Sequence, residues 1–426
     1  MKKNPAFRAM IWRISSLVIV IFCCLQQKAG AANGHWVGTW ACGPQLTEHG
    51  IPPAADNLPP AALAYSTLRQ FVHTTIAGNH LRVRFSNAYG TNSVTMNSVH
   101  IALATGTGSA LNGVINTATD TALTFRGAPS ITIPPGVVVW SDPCDFNLPA
   151  LTNLAISIYY GYVSPNLPPQ GTITGHPGSR TTSYIQTNNV VSASSMPSAA
   201  TTQHWYTITG VDVLADSSSH ALTILGDSIT DGRGSDNDGN DRWPDDLAAR
   251  LGTNAPTAGV GVLNMGIGGG GIFSGLGPAG INRFDRDMWE QSGARWMIIF
   301  IGVNDIGGDG SSTTNQATSF ATNMIATYTT WANKAHAHNM LAYGATITPF
   351  DGNSYYTAIH EYERQYVNAW FRTNKVYDGL IDLDAALRSS TNAAYLNAAY
   401  EFEWLHLNPT GTQAAANSID LSLFTH

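Results

Sequence analysis

The sequence predicts two unlike regions, an all-β region followed by an α/β region built on a parallel sheet. Up to about residue 213, short runs rich in β-branched and aromatic residues are separated by Gly, Pro and Asn, which is the pattern of antiparallel strands. After residue 220, strand-like runs alternate with helical stretches. That alternation is typical of a parallel sheet with helices on both of its faces.

The first 31 residues have the features of a secretory signal. Basic residues precede the apolar run LVIVIFCCL, and the small residues AGAA follow it, as in a signal peptide that is cleaved near Ala31. The apolar run is shorter than the ~20 residues needed to span a bilayer. We therefore expect a secreted or periplasmic protein with no membrane span in the mature chain.

The charge of the chain disfavours some classes of partner. The formal net charge is −7, and removal of residues 1–31 takes away five basic residues and no acidic one, which leaves −12. An acidic surface with only 12% charged residues is a poor match for nucleic acid or an anionic membrane. The sequence gives no indication of the oligomeric state.

Two cysteines, Cys42 and Cys144, remain once the signal is removed. In an exported protein such a pair favours a single disulfide. Two buried free thiols are the alternative. Two cysteines without accompanying ligands do not make a structural zinc site.

Residues 32–215 are expected to form an antiparallel sandwich or jelly roll. The runs LRVRFSNAYG, ITIPPGVVVWS and LAISIYYGYV have strand character, and no convincing amphipathic helix lies among them. The polar segment ADSSSH, at residues 215–220, marks the predicted seam. The second domain is then expected to extend over residues 220–426.

Strands of the second region run into residues suited to acyl transfer. ALTILG is followed by Ser228, VGVLNMG runs into the glycine-dense turn at 266–271, and RWMIIFIGVND places Asn304 at its exit. Near the C-terminus, EWLHLNPTG places His406 just before a terminal helix. Open α/β sheets bind ligands at the carboxyl edge of their strands, so we expect these residues to meet there.

These residue types fit the chemistry of a serine esterase. A serine hydroxyl is a weak nucleophile until a base takes its proton, and imidazole does so near neutral pH. The oxyanion of the tetrahedral intermediate needs preorganised donors. Candidates are the backbone N–H of Ser228, a backbone N–H in the glycine turn and the side-chain amide of Asn304. Such a reaction needs no metal ion and no organic cofactor.

The blocks GDSITDG, NMGIGGGG, GVND and EWLH resemble, in this order, the four blocks of the SGNH/GDSL hydrolase superfamily. The resemblance covers roughly residues 220–426. It implies a flavodoxin-like three-layer α/β/α domain in which Ser228 is the nucleophile and His406 the base. It also implies that Ser228, Gly269 and Asn304 supply the oxyanion hole.

One position departs from the superfamily pattern. The superfamily usually has Asp three residues before the histidine, where the carboxylate orients the imidazole, and this chain has Glu403 there. Glutamate could complete the triad with a shifted backbone. The alternatives are a Ser–His dyad with a backbone carbonyl as the orienting group, or a more distant acid such as Glu401 or Asp384.

We therefore expect a secreted serine esterase that acts on carboxylic esters. A β domain ahead of an SGNH domain is similar in layout to some carbohydrate esterases, which favours O-deacetylation of a polysaccharide or hydrolysis of a short-chain ester. One alternative is a lipase, lysophospholipase or arylesterase acting on longer acyl chains. The other is a non-catalytic glycan-binding protein on a hydrolase scaffold.

Overall fold

The computed structural model describes residues 34–46, 63–106, 112–163 and 173–425. The expected signal peptide, residues 1–31, lies outside the described residues. Within them, no helix is both long enough and apolar enough to cross a bilayer.

The first region consists of short strands. In chain order they are β1 (Gly34–Ala41), β2 (Gln45–Leu46), β3 (Ser66–Thr74), β4 (Gly78–Ser86), β5 (Val94–Leu103), β6 (Thr121–Ala122), β7 (Ile131–Ile133), β8 (Val138–Trp140), β9 (Cys144–Leu148), β10 (Thr152–Tyr160), β11 (Thr174–His176), β12 (Ser183–Thr187), β13 (Ala200–Thr202), β14 (Trp205–Tyr206) and β15 (Ile208–Asp216).

Two large antiparallel sheets account for most of these strands. One has the order β1-β15-β4-β8, with β9 also paired to β4, and the other has the order β13-β12-β3-β10-β5-β6, with β7 paired to β5. In the second sheet Ile156 lies between Gln70 of β3 and Ile101 of β5. The expectation of a β-rich first region is confirmed, whereas its description as a jelly roll stays a prediction.

The second region alternates strands with helices. Its strands are β16 (His220–Gly226), β17 (Val260–Gly266), β18 (Ala294–Phe300), β19 (Leu341–Ala345), β20 (Gly379–Ile381), β21 (Glu401–Phe402) and β22 (His406–Leu407). Its helices are α1 (Ser228–Asp231), α2 (Trp243–Thr253), α3 (Gly280–Asp287), α4 (Val303–Gly307), α5 (Thr314–Ala337), α6 (Ala358–Thr373), α7 (Leu383–Leu387) and α8 (Pro409–Asn417).

Five of these strands form one parallel sheet in the order β17-β16-β18-β19-β20. This is the strand order of flavodoxin-like sheets, in which the chain reverses direction beside the first strand. The central strand β16 is buried along its apolar length, with Leu225 opposite Met265 and Ile299. The predicted parallel α/β sheet is thus confirmed.

The helices pack in two groups. Helix α2 contacts α8, whereas α5 contacts α6. Right-handed crossovers place α2 on one face of the sheet and α5 and α6 on the other, because the chain changes direction after β17. Along α5 the buried residues Ala317, Ala321, Met324 and Tyr328 recur at helical spacing, so a single apolar stripe holds this long helix against the rest of the molecule.

The expected disulfide is not formed, because Cys42 and Cys144 are both free thiols. Cys42 follows β1 and Cys144 begins β9, and strands β15 and β4 lie between them. Three strand spacings of about 4.8 Å amount to about 14 Å, which exceeds the ~7 Å limit on the Cα separation of a disulfide. Each thiol instead contacts a backbone carbonyl, Cys42 that of Ile208 and Cys144 that of Leu81.

The two regions share one hydrophobic core. A single cluster of buried apolar side chains runs from Val37 to Phe424 and includes residues of both. Strand β1 lies against β17 so closely that a Cβ on Gly261 would be 2.1 Å from the carbonyl oxygen of Gly38. The predicted domain boundary at residues 215–220 falls between β15 and β16 and stays a prediction.

Candidate active site

Ser228 lies at the carboxyl end of the central strand, as the sequence predicts. Strand β16 ends at Gly226, and Ser228 is the first residue of α1. Asp227 caps this helix by accepting the N–H of Ile229 at 3.0 Å. Burial raises the pKa of Asp227 to about 7. Because Ser228 opens the helix, its own N–H has no intrahelical acceptor and is available to a ligand.

His406 lies beside the serine. It begins β22, which pairs with β21 in a hairpin, and its Nε2 is 2.8 Å from the Oγ of Ser228. Burial, reinforced by the nearby charge of Arg233, lowers the pKa of His406 to about 4. The imidazole is therefore neutral above about pH 4. In this state it can accept the serine proton.

Glu403 lies on the opposite side of the imidazole, at more than hydrogen-bonding distance. Its Oε2 is 3.6 Å from Nδ1 of His406, and Nδ1 is buried without a hydrogen-bond partner among the described residues. Arg233 donates to both carboxylate oxygens, at 2.7 and 3.2 Å. Glu403 and Trp404 both have φ of 58°, so the turn that carries the acid is strained.

The other two candidate acids make their contacts elsewhere. Asp384 is fully buried and accepts hydrogen bonds from Arg364 and Arg372 at 2.7 and 2.6 Å. Glu401 accepts the backbone N–H of Trp404 at 2.9 Å. Of the three acids that the sequence offers, Glu403 is the one that lies beside His406.

The glycine-dense turn brings Gly269 to the site with a free donor. Gly269 has φ of 66°, which a glycine adopts without strain. Its N–H donates to no acceptor among the described residues, whereas the N–H of Gly268 donates to Asp231 at 3.0 Å. Gly269 is therefore the better candidate of the two for the oxyanion hole.

Asn304, in α4, has an amide of fixed orientation. Its Nδ2 donates to the carbonyl of Gly270 at 2.9 Å, and its Oδ1 accepts the hydroxyl of Tyr355 at 3.0 Å. Because Nδ2 carries two protons, one remains for an oxyanion. The orienting hydroxyl could not be found from the sequence, since Tyr355 lies 51 residues after Asn304 and belongs to no motif.

The predicted residues line a single cavity of about 260 Å³. Ser228, Gly269, Asn304 and His406 are all part of its lining. The first region supplies another part of the wall, which the sequence did not predict. These residues are Gln45, Pro177, Gly178 and Arg180.

A buried pair joins the first region to this cavity. His176 of β11 contacts the carboxylate of Asp231 at 2.8 Å through Nε2 and the carbonyl of Gly43 at 2.9 Å through Nδ1. Gly178 allows the approach, because a Cβ there would be 2.0 Å from Asp231. Asp231 stands in the GDSITDG block, but nothing in the sequence indicated a partner 55 residues earlier.

The GDSL-like lipase/acylhydrolase family model matches residues 224–414, a span that holds the serine, the glycine turn, the asparagine and the histidine described above. Residues 224–414 belong to the GDSL-like lipase/acylhydrolase family. The chain is therefore a carboxylic ester hydrolase of this type.

Solved structures of this family also align with the chain. The acetylxylan esterase Axe2 from Geobacillus stearothermophilus is 19% identical, with 47% of this chain and 92% of that chain covered and a TM-score of 0.35. A GDSL-like lipase from Bacteroides thetaiotaomicron is 16% identical, with 46% and 85% covered and a TM-score of 0.31. The alignments are too remote to bear on the substrate. No curated protein matches the chain.

Proposed function

We propose that the chain is an exported serine esterase that removes short acyl groups, acetyl above all, from an esterified polysaccharide. Ser228 is the nucleophile in this proposal and His406 is the base. The observation that carries it is the 2.8 Å contact between Ser228 Oγ and His406 Nε2, in a cavity that Gly269 and Asn304 also line.

The proposed reaction runs in two halves. Ser228 Oγ attacks the ester carbonyl carbon while its proton passes to Nε2 of His406. The oxyanion accepts hydrogen bonds from the N–H groups of Ser228 and Gly269 and from the amide of Asn304. The intermediate collapses to an acyl-serine as His406 returns the proton to the departing alkoxide. Water then attacks the acyl-serine by the same route, which releases the acid and restores the serine.

The lining of the cavity favours a short acyl group. A long acyl chain needs a continuous apolar channel, and among the described lining residues the aliphatic side chains are Pro177, Leu276 and Leu405. The remainder are glycines, polar or charged residues, and Tyr355. This composition favours acetate over a fatty acyl chain and a polar alcohol over a lipid.

Export and a polysaccharide substrate rest on the sequence. The basic, apolar and small-residue segments of residues 1–31 support export. The layout of a β-rich region ahead of the hydrolase domain supports a carbohydrate ester, by analogy of fold alone. A cleft with walls from both regions is compatible with a sugar.

Initial rates on p-nitrophenyl esters from acetate to decanoate test the proposal, with Ser228→Ala as the blank. We expect the highest kcat/KM on acetate, a steep fall with chain length, and no turnover above background in Ser228→Ala. Circular dichroism of Ser228→Ala shows whether the variant is folded.

Two outcomes would contradict the proposal. Rates that peak at long chains would assign the protein to lipid or lysophospholipid hydrolysis. Full activity in a folded Ser228→Ala protein would remove the serine from the mechanism.

A further inference from the structure

Arg180 is a charged residue in the cavity to which the proposed esterase reaction gives no task. It lines the same cavity as Ser228 and His406. Its Nε is buried and has no hydrogen-bond partner among the described residues. A guanidinium carries five donors and no acceptor, so it requires hydrogen-bond acceptors, and an anionic group is the strongest of these.

The neighbouring arginines differ, because each has a carboxylate of its own. Arg233 is 2.7 Å from Glu403, and Arg242 is 2.8 Å from Asp245. Arg180 forms no such ion pair within the described residues. It is therefore the cation in this part of the cleft with unused capacity for an anion.

The carboxylate of Asp231, which also lines the cavity, does not satisfy Arg180. One of its oxygens contacts His176 at 2.8 Å, and the other accepts the N–H of Gly268 at 3.0 Å. Asp231 acts on Arg180 through its charge alone. Both of its oxygens are bonded to these other groups.

The position of Arg180 is unfavourable in two respects. Burial lowers the pKa of its guanidinium, which reflects the cost of removing part of a charged group from water. Its backbone has φ of 49°, a region that side-chain-bearing residues seldom adopt. Strain of this kind concentrates at binding sites.

The segment around Arg180 is held firmly by the loop that follows the serine helix. The carbonyl of Arg180 accepts the N–H of Asp238 at 2.8 Å. The carboxylate of Asp238 in turn accepts the N–H and the hydroxyl of Thr182, at 2.6 and 2.7 Å. The guanidinium therefore projects from an ordered backbone, as a preorganised recognition group requires.

We propose that Arg180 binds a carboxylate carried by the alcohol part of the substrate, so that the enzyme prefers esters of an acidic sugar or another carboxylated alcohol. This inference rests on the proposed function, because it adds a subsite to the same cleft. The planar guanidinium matches a carboxylate in a two-point contact. A phosphate dianion calls for further free cations, and Arg233 is already paired with Glu403.

The alcohol part is favoured because Arg180 lines the cavity together with His406. Its charge acts on both His406 and Glu403. His406 is the group that protonates the departing alcohol in the proposed reaction. A carboxylate near Arg180 therefore belongs to the leaving group rather than to the acyl group.

A matched pair of acetate esters tests the subsite, 3-acetoxybenzoate against its uncharged analogue 3-acetoxybenzamide. We expect the wild-type protein to prefer the benzoate in kcat/KM. In Arg180→Gln the benzoate-to-benzamide ratio should fall about tenfold, the scale of one hydrogen bond to a charged group, and Arg180→Lys should keep part of it. The ratio within each protein cancels differences in general activity, and the comparison of ratios between proteins cancels the difference in intrinsic reactivity of the two esters.

Arg126→Gln is the matched control. Arg126 is exposed, lies in the first region and has φ of 54°, so the variant changes charge and backbone context as Arg180→Gln does but outside the cleft. Its ratio should equal that of the wild type.

Calorimetry on the Ser228→Ala protein gives a readout that does not depend on turnover. 3-Acetoxybenzoate should bind more tightly than the benzamide, and adding Arg180→Gln should remove the difference.

One outcome would overturn the subsite and leave the esterase proposal intact. In that outcome the wild-type protein hydrolyses the acetate ester of 3-acetoxybenzamide, and the benzoate-to-benzamide ratio of kcat/KM is the same in Arg180→Gln as in the wild type. If the wild-type protein hydrolyses none of the esters, the proposed function is overturned. The calorimetric comparison of benzoate and benzamide binding then tests the carboxylate site by itself. Inhibition by glycerol 1-phosphate that is stronger than inhibition by glucuronate would overturn the choice of a carboxylate.

Discussion

The carboxylate of Glu403 lies between an arginine and the histidine of the site. Arg233 binds both of its oxygens, and these hydrogen bonds hold the pKa of Glu403 below its usual value. The two hydrogen bonds from Arg233 therefore favour the ionised form of this carboxylate. At 3.6 Å from Nδ1, it acts on the imidazole through its charge rather than through a hydrogen bond.

Glu403→Gln should therefore reduce kcat/KM by less than about tenfold, whereas loss of a hydrogen-bonded orienting acid costs on the order of 10⁴-fold. The pH profile supplies a second readout. The wild-type rate should fall as the pH drops through about 4, because His406 must be unprotonated to act as a base. The charge of Glu403 raises that pKa, so the acid limb of the glutamine variant should lie at lower pH.

Glu290→Gln is the control for this change, because Glu290 is exposed and lies outside the cavity. It should leave both the rate and the profile unaltered. A loss of several orders of magnitude in Glu403→Gln would instead establish a hydrogen-bonded triad that closes when the substrate binds.

At the scale of elements, the short helix α4 fixes the glycine-dense turn. Asp305 lies in the GVND block and accepts the N–H groups of Ile272 and Phe273 at 2.7 and 3.0 Å. Burial raises the pKa of Asp305, and these two hydrogen bonds oppose that rise. One helical turn thereby positions both Asn304 and the loop that carries Gly269.

Asp305→Asn should lower kcat by about 10- to 100-fold with little change in KM, because a misplaced donor on this scale weakens transition-state binding. Each carboxylate oxygen of Asp305 accepts one N–H group of the loop. The asparagine side chain keeps one oxygen and has an NH₂ group, a donor, in place of the other, so one of the two hydrogen bonds is lost. Steady-state kinetics on p-nitrophenyl acetate measure the effect.

Asp285→Asn provides the comparison, since Asp285 is half-exposed and pairs with Lys334 on the surface. It should leave kcat unchanged. Equal losses in the two variants would show that the effect is not specific to the glycine loop.

The elements of the second region could be predicted because their signals are local. An apolar run followed by turn residues marks each strand end, and the positions of Ser228 and Asn304 follow from there. His406 was placed by the terminal helix that comes just after it. Contacts between residues distant in sequence gave no such signal. Arg233 meets Glu403 across 170 residues, and only folding reveals that the acid is already engaged by a cation.

At the scale of the whole molecule, the β-rich region is part of the active-site cleft. The wall of the cleft includes Gln45, Pro177, Gly178 and Arg180. All four belong to a region that the sequence predicted as a separate β domain without assigning it a role. The disulfide expectation failed for a related reason. Cysteine count and compartment say nothing about strand order, and the order of the first sheet keeps Cys42 and Cys144 apart.

His176 is the residue through which the first region supports the serine helix and the glycine turn. Both of its ring nitrogens face acceptors, the carbonyl of Gly43 and the carboxylate of Asp231. The ring therefore bridges the turn after β1 and the end of the serine helix. The other carboxylate oxygen accepts the N–H of Gly268, which extends the pair to the residue beside Gly269.

His176→Leu should lower the free energy of unfolding by about 2 kcal/mol or more, because it removes a hydrogen-bond partner from the buried carboxylate of Asp231. Urea titration measures this. His80→Leu is the control. His80 pairs with Asp145 at 2.7 Å on the surface, where the two side chains are 49% and 92% exposed, and such pairs contribute less than about 1 kcal/mol.

The kcat of His176→Leu should fall as well, and the double variant His176→Leu/Asp231→Asn should be more stable than the single variant. Equal stability losses at His176 and His80 would mean that the buried pair does not hold the two regions together.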